Sequence, residues 1–233
     1  MTRVLVSVRD VAEALAAATA GADFIDLKDP ANGALGGLPL ARIVAIVVAL
    51  RAAHPRLRIS ATIGDVAPSL VDEILRRVAA VAACGVDDVK VGVVPGTDAP
   101  ALLAALASCC AHVVPVLLAD AGVDMALVEA ALAHHTFAAL MLDTADKGAG
   151  SLLQRLPQVV LRGFVGRLRS AACLSGLAGS LRLADLPALR LLSPGFAGFR
   201  SAVCNGPRDG ALDALRVRTL CQGLREPLAS PVA

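Results

Sequence analysis

The sequence predicts an eight-stranded parallel α/β barrel, a (β/α)8 or TIM barrel, folded as a single domain. Three observations lead there. Apolar runs of strand length alternate with Ala/Leu-rich helical patterns nearly from end to end, and about eight such units fit the TIM-barrel repeat. The runs are continuous and rich in Val, Ile and Leu, as parallel strands covered on both faces should be. The chain has 233 residues, close to the roughly 250 typical of such barrels.

The chain enters its first strand at once, over Val4 to Val8. A helical pattern follows over Asp10 to Ala20 and stops at Gly21, a residue suited to helix ends. Phe24 to Leu27 reads as the second strand and Leu38 to Ala53 as its helix. Ile59 to Ile63 and Leu70 to Ala83 form the third unit, closed by Gly85, and Val89 to Val93 is the fourth strand. The longest charge-free stretch, Ala99 to Ala119, is about long enough to span a bilayer. It contains Pro100, His112 and Pro115, and reads instead as a buried helix followed by a buried strand, Val113 to Leu118. After Gly122 comes a helix over Val123 to His134. The last three strands are placed at Ala139 to Leu142, Ala171 to Leu174 and Gly195 to Phe199. Nothing divides the chain, so residues 1–226 form the barrel, and Pro227 to Ala233 reads as a frayed tail. A doubly wound open sheet is the alternative architecture. The absence of G-x-G-x-x-G and G-x-x-x-x-G-K-[ST] motifs weakens its nucleotide-binding version.

Composition narrows the function. Hydrophobic residues make up 56% of the chain and charged residues 18%, enough for a large core. A net charge of +2 and five Phe with no Trp or Tyr argue against nucleic-acid binding, which uses basic surfaces and aromatic platforms. The N-terminus has no signal-peptide pattern. The six cysteines form no C-x-x-C pair and read as small buried residues in a reducing compartment. A cytoplasmic protein is expected, with no membrane partner, and apolar helix faces suit a homo-oligomer. The four histidines fall in helices or at strand starts, the wrong end of a barrel for a metal site, so a His-based metal site is not expected.

Only three of the 22 basic residues are lysine: Lys28, Lys90 and Lys147. Guanidinium stays charged, whereas a desolvated ammonium can lose its proton and attack a carbonyl. All three lysines belong to even-numbered strands or the loops after them, positions that converge at one mouth of a barrel. The second strand ends Asp26-Leu27-Lys28, and its period of two puts Asp26 and Lys28 on one face. An ordinary strand-end ion pair is the alternative. Lys90 sits mid-strand among valines, a costly place unless it faces a polar interior site. Asp143 emerges where the sixth apolar run stops, and Lys147 lies in the loop beyond it, where a solvated role is also open. Asp65, after the third strand, reads equally well as the N-cap of the next helix.

Loops after the seventh and eighth strands of such barrels often bind phosphate. Here they carry Gly179 and Ser180, and then Gly198 and Arg200. Backbone N–H groups, a hydroxyl and a guanidinium fork favour a small phosphorylated substrate.

Taken in order, several segments resemble one family: Asp26-Leu27-Lys28-Asp29-Pro30 with Gly33 and Leu35-Gly36, Ser60-Ala61-Thr62-Ile63-Gly64-Asp65, Lys90-Val91-Gly92, Met141-Leu142-Asp143-Thr144, Ala178-Gly179-Ser180-Leu181, and Gly198-Phe199-Arg200. These span most of the chain and are similar to the (5-formylfuran-3-yl)methyl phosphate synthases, furan-forming enzymes of methanofuran biosynthesis in methanogens and methylotrophic bacteria. The resemblance implies a lyase on the TIM-barrel scaffold that condenses two molecules of glyceraldehyde 3-phosphate, one held as an imine on a lysine as in class I aldolases. It implies Lys28 as the imine-forming residue and Lys90 as an acid/base lysine. Asp26, Asp143 and Lys147 match further active-site positions. The segment Leu117-Leu118-Ala119-Asp120 departs from the family, which is more polar and aromatic there; Asp120 alone is kept. Another imine-forming aldolase on a phosphorylated sugar, or a non-catalytic phosphate-binding barrel, is the competing reading.

Overall fold

The computed structural model describes residues 1–226. The tail expected over Pro227 to Ala233 lies outside them. Eight parallel strands follow one another around a closed ring: β1 (Arg3–Val8), β2 (Phe24–Leu27), β3 (Arg58–Thr62), β4 (Asp88–Val93), β5 (Val113–Leu118), β6 (Ala139–Asp143), β7 (Leu174–Leu177) and β8 (Phe196–Phe199). Pairing of β8 with β1, Phe196 opposite Arg3 through Phe199 opposite Val6, closes the barrel and excludes the open sheet. Nine α-helices surround it among the described residues: α1 (Val11–Thr19), α2 (Leu40–Ala53), α3 (Val71–Ala82), α4 (Ala99–Ser108), α5 (Met125–Ala133), α6 (Leu152–Arg155), α7 (Gln158–Ser170), α8 (Leu186–Leu192) and α9 (Ala214–Arg225). The charge-free stretch resolves into α4 and β5, as expected. Among the described residues, no helix is long and apolar enough to cross a membrane.

The two-residue period of each strand sorts its side chains between two cores. On β4, Val89, Val91 and Val93 pack into the layer between strands and helices, while Asp88 and Lys90 face the barrel interior. On β2, Ile25 and Leu27 join that outer layer and Asp26 turns inward to Ser7 and Ser60. The interior is filled by a second apolar cluster that includes Leu5, Leu35, Val114, Val116, Met141 and Phe196. Each buried Val or Leu contributes roughly 1.5–3 kcal/mol.

Two elements fall elsewhere than expected. The seventh strand runs over Leu174–Leu177 rather than Ala171–Leu174, because α7 continues to Ser170 and turns through Ala172 at φ 54°. Its sequence, Leu-Ser-Gly-Leu, is thin for a strand because Phe196 fills the space beside it. A Cβ on Gly176 would lie 2.3 Å from that ring. Asp65 caps no helix, since α3 starts only at Val71; its carboxylate instead lies against Gly33 of the loop after β2. On the outside, α2 presents Leu40, Val44 and Val48 to solvent, spaced for one face.

Candidate active site

Lys28 follows β2, Lys147 lies in the loop after β6 and Lys90 stands mid-strand on β4 inside the barrel, with Lys28 close enough to both for their charges to interact. Asp26 and Lys28 are 2% and 8% exposed, Lys90 and Asp143 2% each. Lys90 Nζ lies 3.0 Å from Asp26 Oδ1. Its orientation satisfies no hydrogen bond among the described residues, so the pair is a close charge contact. Asp26 accepts hydrogen bonds from the Ser60 hydroxyl at 2.6 Å and the Ser7 hydroxyl at 3.2 Å. Both hydroxyls come from neighbouring strands, in register with Asp26. In the sequence they stand out only as polar residues at inward positions of apolar strands.

Burial alone would push the Asp26 carboxyl up. The ammonium groups of Lys90 and Lys28 and the Ser60 hydroxyl outweigh it and hold the pKa below the ordinary carboxylate value. Lys90 lies below the ordinary lysine value: burial is the largest cause and Lys28 adds to it, while Asp26 opposes. Lys147 is shifted down for the same reasons, with burial first, Asp143 opposing, and Lys28 and Arg208 adding.

The loop after β2 holds Lys28. Its Nζ donates to the Ala34 carbonyl at 3.3 Å. That carbonyl is delivered by a fold of the chain around Gly36, whose own carbonyl accepts from Asp29 N at 2.8 Å and the Thr62 hydroxyl at 2.9 Å. A Cβ on Gly36 would sit 2.3 Å from Asp29 O and 2.4 Å from Asn32 O, so the fold requires glycine.

After β6, Lys147 Nζ reaches Asp143 Oδ1 at 2.5 Å and the Thr144 carbonyl, so the loop lysine is held against Asp143 rather than left in solvent. The loop is shaped by Asp120, which accepts from Ala145 N at 2.7 Å, Asp146 N at 3.0 Å and the Arg155 guanidinium at 3.0 Å. The residue kept within the divergent segment after β5 is thus a clamp on the loop that carries Lys147.

The expected phosphate end is a small recess lined by Lys147, Gly179, Ser180, Gly198, Arg200 and Arg208. Gly179 and Ser180 both take left-handed backbone, φ 102° and 47°. The Ser180 hydroxyl donates to Lys147 O at 3.0 Å, so the recess is offered backbone N–H groups rather than that hydroxyl. Gly198 lets Met141 and Ala178 pack close against the backbone, since a Cβ there would lie 3.0 Å from Met141 and 3.3 Å from Ala178. Arg200 is 6% exposed and forms a two-point ion pair with Glu13. Arg208, from the turn-rich segment after β8, and Glu13, in the first turn of α1, were not singled out by sequence. The first resembled surface-loop composition and the second a helix-start acid.

The histidines lie at the opposite end: His54 and His134 close α2 and α5, and His112 precedes β5. Among the described residues, no group of three or more His, Cys, Asp or Glu is placed to hold a metal ion.

Comparison with known proteins adds a family. The model for 4-HFC-P synthase matches residues 4–221. A protein of Methylorubrum extorquens provisionally named as a (5-formylfuran-3-yl)methyl phosphate synthase is 41% identical over 224 residues, covering 96% of this chain and 92% of its own. The (5-formylfuran-3-yl)methyl phosphate synthase of Methanocaldococcus jannaschii is 30% identical over 246 residues, covering 93% and 97%. Among solved structures, phosphoribosyl anthranilate isomerase from Thermotoga maritima superposes with a TM-score of 0.69 at 17% identity, covering 97% of this chain and 99% of its own, a likeness of fold alone.

Proposed function

The chain belongs to the 4-HFC-P synthase family, and on that premise we propose that it forms (5-formylfuran-3-yl)methyl phosphate from two molecules of glyceraldehyde 3-phosphate through an imine on Lys28. Balance requires that one phosphate and two waters leave for each furan made.

In this reading Lys28 gives up its proton, the freed amine attacks the carbonyl of one triose, and water departs. The iminium nitrogen then accepts the electron pair released when an α-proton is removed, giving an enamine. The enamine carbon adds to the carbonyl of the second triose. Lys90, a buried amine below its ordinary basicity, takes and returns the protons of these steps, and Asp26 assists while holding Lys90 in place. Asp143 and Lys147 assist dehydration and loss of one phosphate at the outer edge of the site; ring closure with loss of water gives the furan, and hydrolysis of the imine frees the Lys28 amine. The other phosphate rests at the recess of Gly179, Ser180 and Gly198, on the side walled by Arg200. No metal or organic cofactor takes part.

One observation carries the reading: Lys28 is buried among two further amines whose own pKa values burial and mutual repulsion hold down. Borohydride reduction with substrate, followed by peptide mapping, tests it. A reduced adduct on the peptide containing Lys28, lost in Lys28→Arg, is expected. No adduct on the wild type, or an undiminished one in the variant, removes the imine assignment. A furan absorbing in the near ultraviolet, easily seen in a protein without Trp or Tyr, distinguishes the synthase from an aldolase that releases a linear product.

A further inference from the structure

The recess beyond β7 and β8 holds two arginines, and their surroundings differ. Arg200 Nε donates to Arg208 O at 2.7 Å. Its Nη1 donates to Glu13 Oε2 at 2.6 Å and Ser7 O at 3.2 Å, and its Nη2 to Glu13 Oε1 at 3.1 Å and Gly210 O at 2.8 Å. A guanidinium has five N–H groups, and these five contacts engage all of them. To meet an anion, Arg200 would have to abandon a buried carboxylate, which is strongly unfavourable.

Arg208 is placed differently. Its guanidinium makes one long hydrogen bond, Nη2 to Gly33 O at 3.3 Å across the mouth. Among the described residues it has no carboxylate partner. Lys147 pairs with Asp143 and Arg200 with Glu13, whereas Arg208 forms no ion pair among the described residues and meets the charges of Asp143 and Asp209 only at longer range. Its backbone is nevertheless tightly held. The Arg208 carbonyl accepts from Arg200, the neighbouring Asp209 carbonyl accepts from Arg9, and Gly210 N closes a turn onto Pro207 O at 2.8 Å. Facing it, the N–H groups of Gly179, Ser180 and Leu181 donate to no acceptor among the described residues. Successive free N–H groups in a tight turn make an anion-binding concavity.

We infer that Arg208 is the side chain that meets the phosphate of the bound substrate, and that Arg200, fixed by Glu13, is a positioning residue acting through the Arg208 backbone. This deepens the reading above and rests on it for the identity of the substrate. The recognised chemistry is a phosphate monoester, bound by a guanidinium on one side and backbone N–H groups on the other.

Calorimetric titration of the full chain with inorganic phosphate tests the site without any imine chemistry. In Arg208→Gln the dissociation constant should rise about 10- to 100-fold, the usual consequence of losing charge-assisted hydrogen bonds. Arg208→Lys should recover part of the loss. The same variant should lower, by a similar factor, the preference of borohydride trapping for glyceraldehyde 3-phosphate over unphosphorylated glyceraldehyde. Arg200→Lys should lower the melting temperature, whereas Arg208→Gln should not. Phosphate binding at wild-type strength in Arg208→Gln, or no phosphate binding by the wild type, overturns the inference. A wild type that binds phosphate yet gives no reduced adduct overturns the imine instead.

Discussion

Lys90 Nζ stands 3.0 Å from Asp26 Oδ1 inside the barrel, and both side chains are 3% exposed. The carboxylate is held ionised by two ammonium groups and the Ser60 hydroxyl, while the amine is held by burial below ordinary basicity. A permanently charged acceptor beside an amine that releases its proton readily suits repeated proton transfer in a closed site.

Replacing Asp26 with Asn should therefore cost both stability and rate. The amide leaves Lys90 without its counter-charge and satisfies the Ser7 and Ser60 hydroxyls less well. Removing one partner of a buried pair costs roughly 3–5 kcal/mol; the low end is expected because Lys90 can shed its proton. Turnover should fall about 10²- to 10⁴-fold, as for loss of a positioned acid/base group. Urea unfolding and the furan assay measure the two effects, and a variant with wild-type unfolding midpoint contradicts the pairing.

The shift at Lys90 also sets a slope of stability against pH. The folded protein binds fewer protons than the unfolded chain between the depressed folded pKa and the ordinary lysine value of about 10.4. Stability from this group therefore rises as pH rises through that window, and is lost as pH falls below the folded value. Asp26 acts with the opposite group type: its contribution is present above about pH 3.9 and disappears as pH falls through its lowered folded pKa. Melting temperatures across the alkaline window should climb less steeply in Lys90→Met than in the wild type. Parallel slopes would show that Lys90 is not shifted.

Much of this arrangement was legible in the chain because its signals are chemical and local. Asp26 and Lys28 share a face by the two-residue period, and Lys90 is conspicuous among valines that pack outward. The closed order of strands follows from eight repeated units, and β2 and β5 fall where the apolar runs place them. What was not legible depends on partners distant in sequence. Glu13 and Arg200 are separated by 187 residues, and only their ion pair shows that Arg200 is already engaged. Arg208 sits in a Gly/Pro/Asp-rich segment indistinguishable from any surface loop. The seventh strand was misplaced because Ser175 and Gly176 lack strand propensity; Phe196 supplies the missing volume from the next strand.

The cysteines make a separate prediction. All six are free thiols. Burial pushes Cys173 and Cys221 up to about 11, so at pH 8 only about one part in 10³ is thiolate. Cys110 is exposed. Brief treatment with iodoacetamide should label Cys110 first and leave Cys173 and Cys221 unmodified until the protein is unfolded. Early labelling of Cys173 in native protein would contradict its burial and its hydrogen bond to the Phe137 carbonyl.

Gly36→Ala separates the role of the loop after β2 from that of the lysine it serves. The added methyl would meet two backbone carbonyl oxygens, at 2.3 and 2.4 Å, neither of which can swing aside as a side chain would. The turn must open, and with it the Gly36 carbonyl that ties Asp29 N and the Thr62 hydroxyl together. Overpacking of this kind costs about 1–3 kcal/mol. The consequence for the site is more specific: Ala34 O withdraws from Lys28 Nζ, so the amine loses its orientation while keeping its chemistry. Gly36→Ala should therefore still form a borohydride-trapped adduct at position 28, but at a rate lowered about 10- to 100-fold, as expected for displacement of a reacting group by an ångström or so. An adduct formed at the wild-type rate in a variant of lowered melting temperature would mean that the Ala34 carbonyl has no part in aiming Lys28.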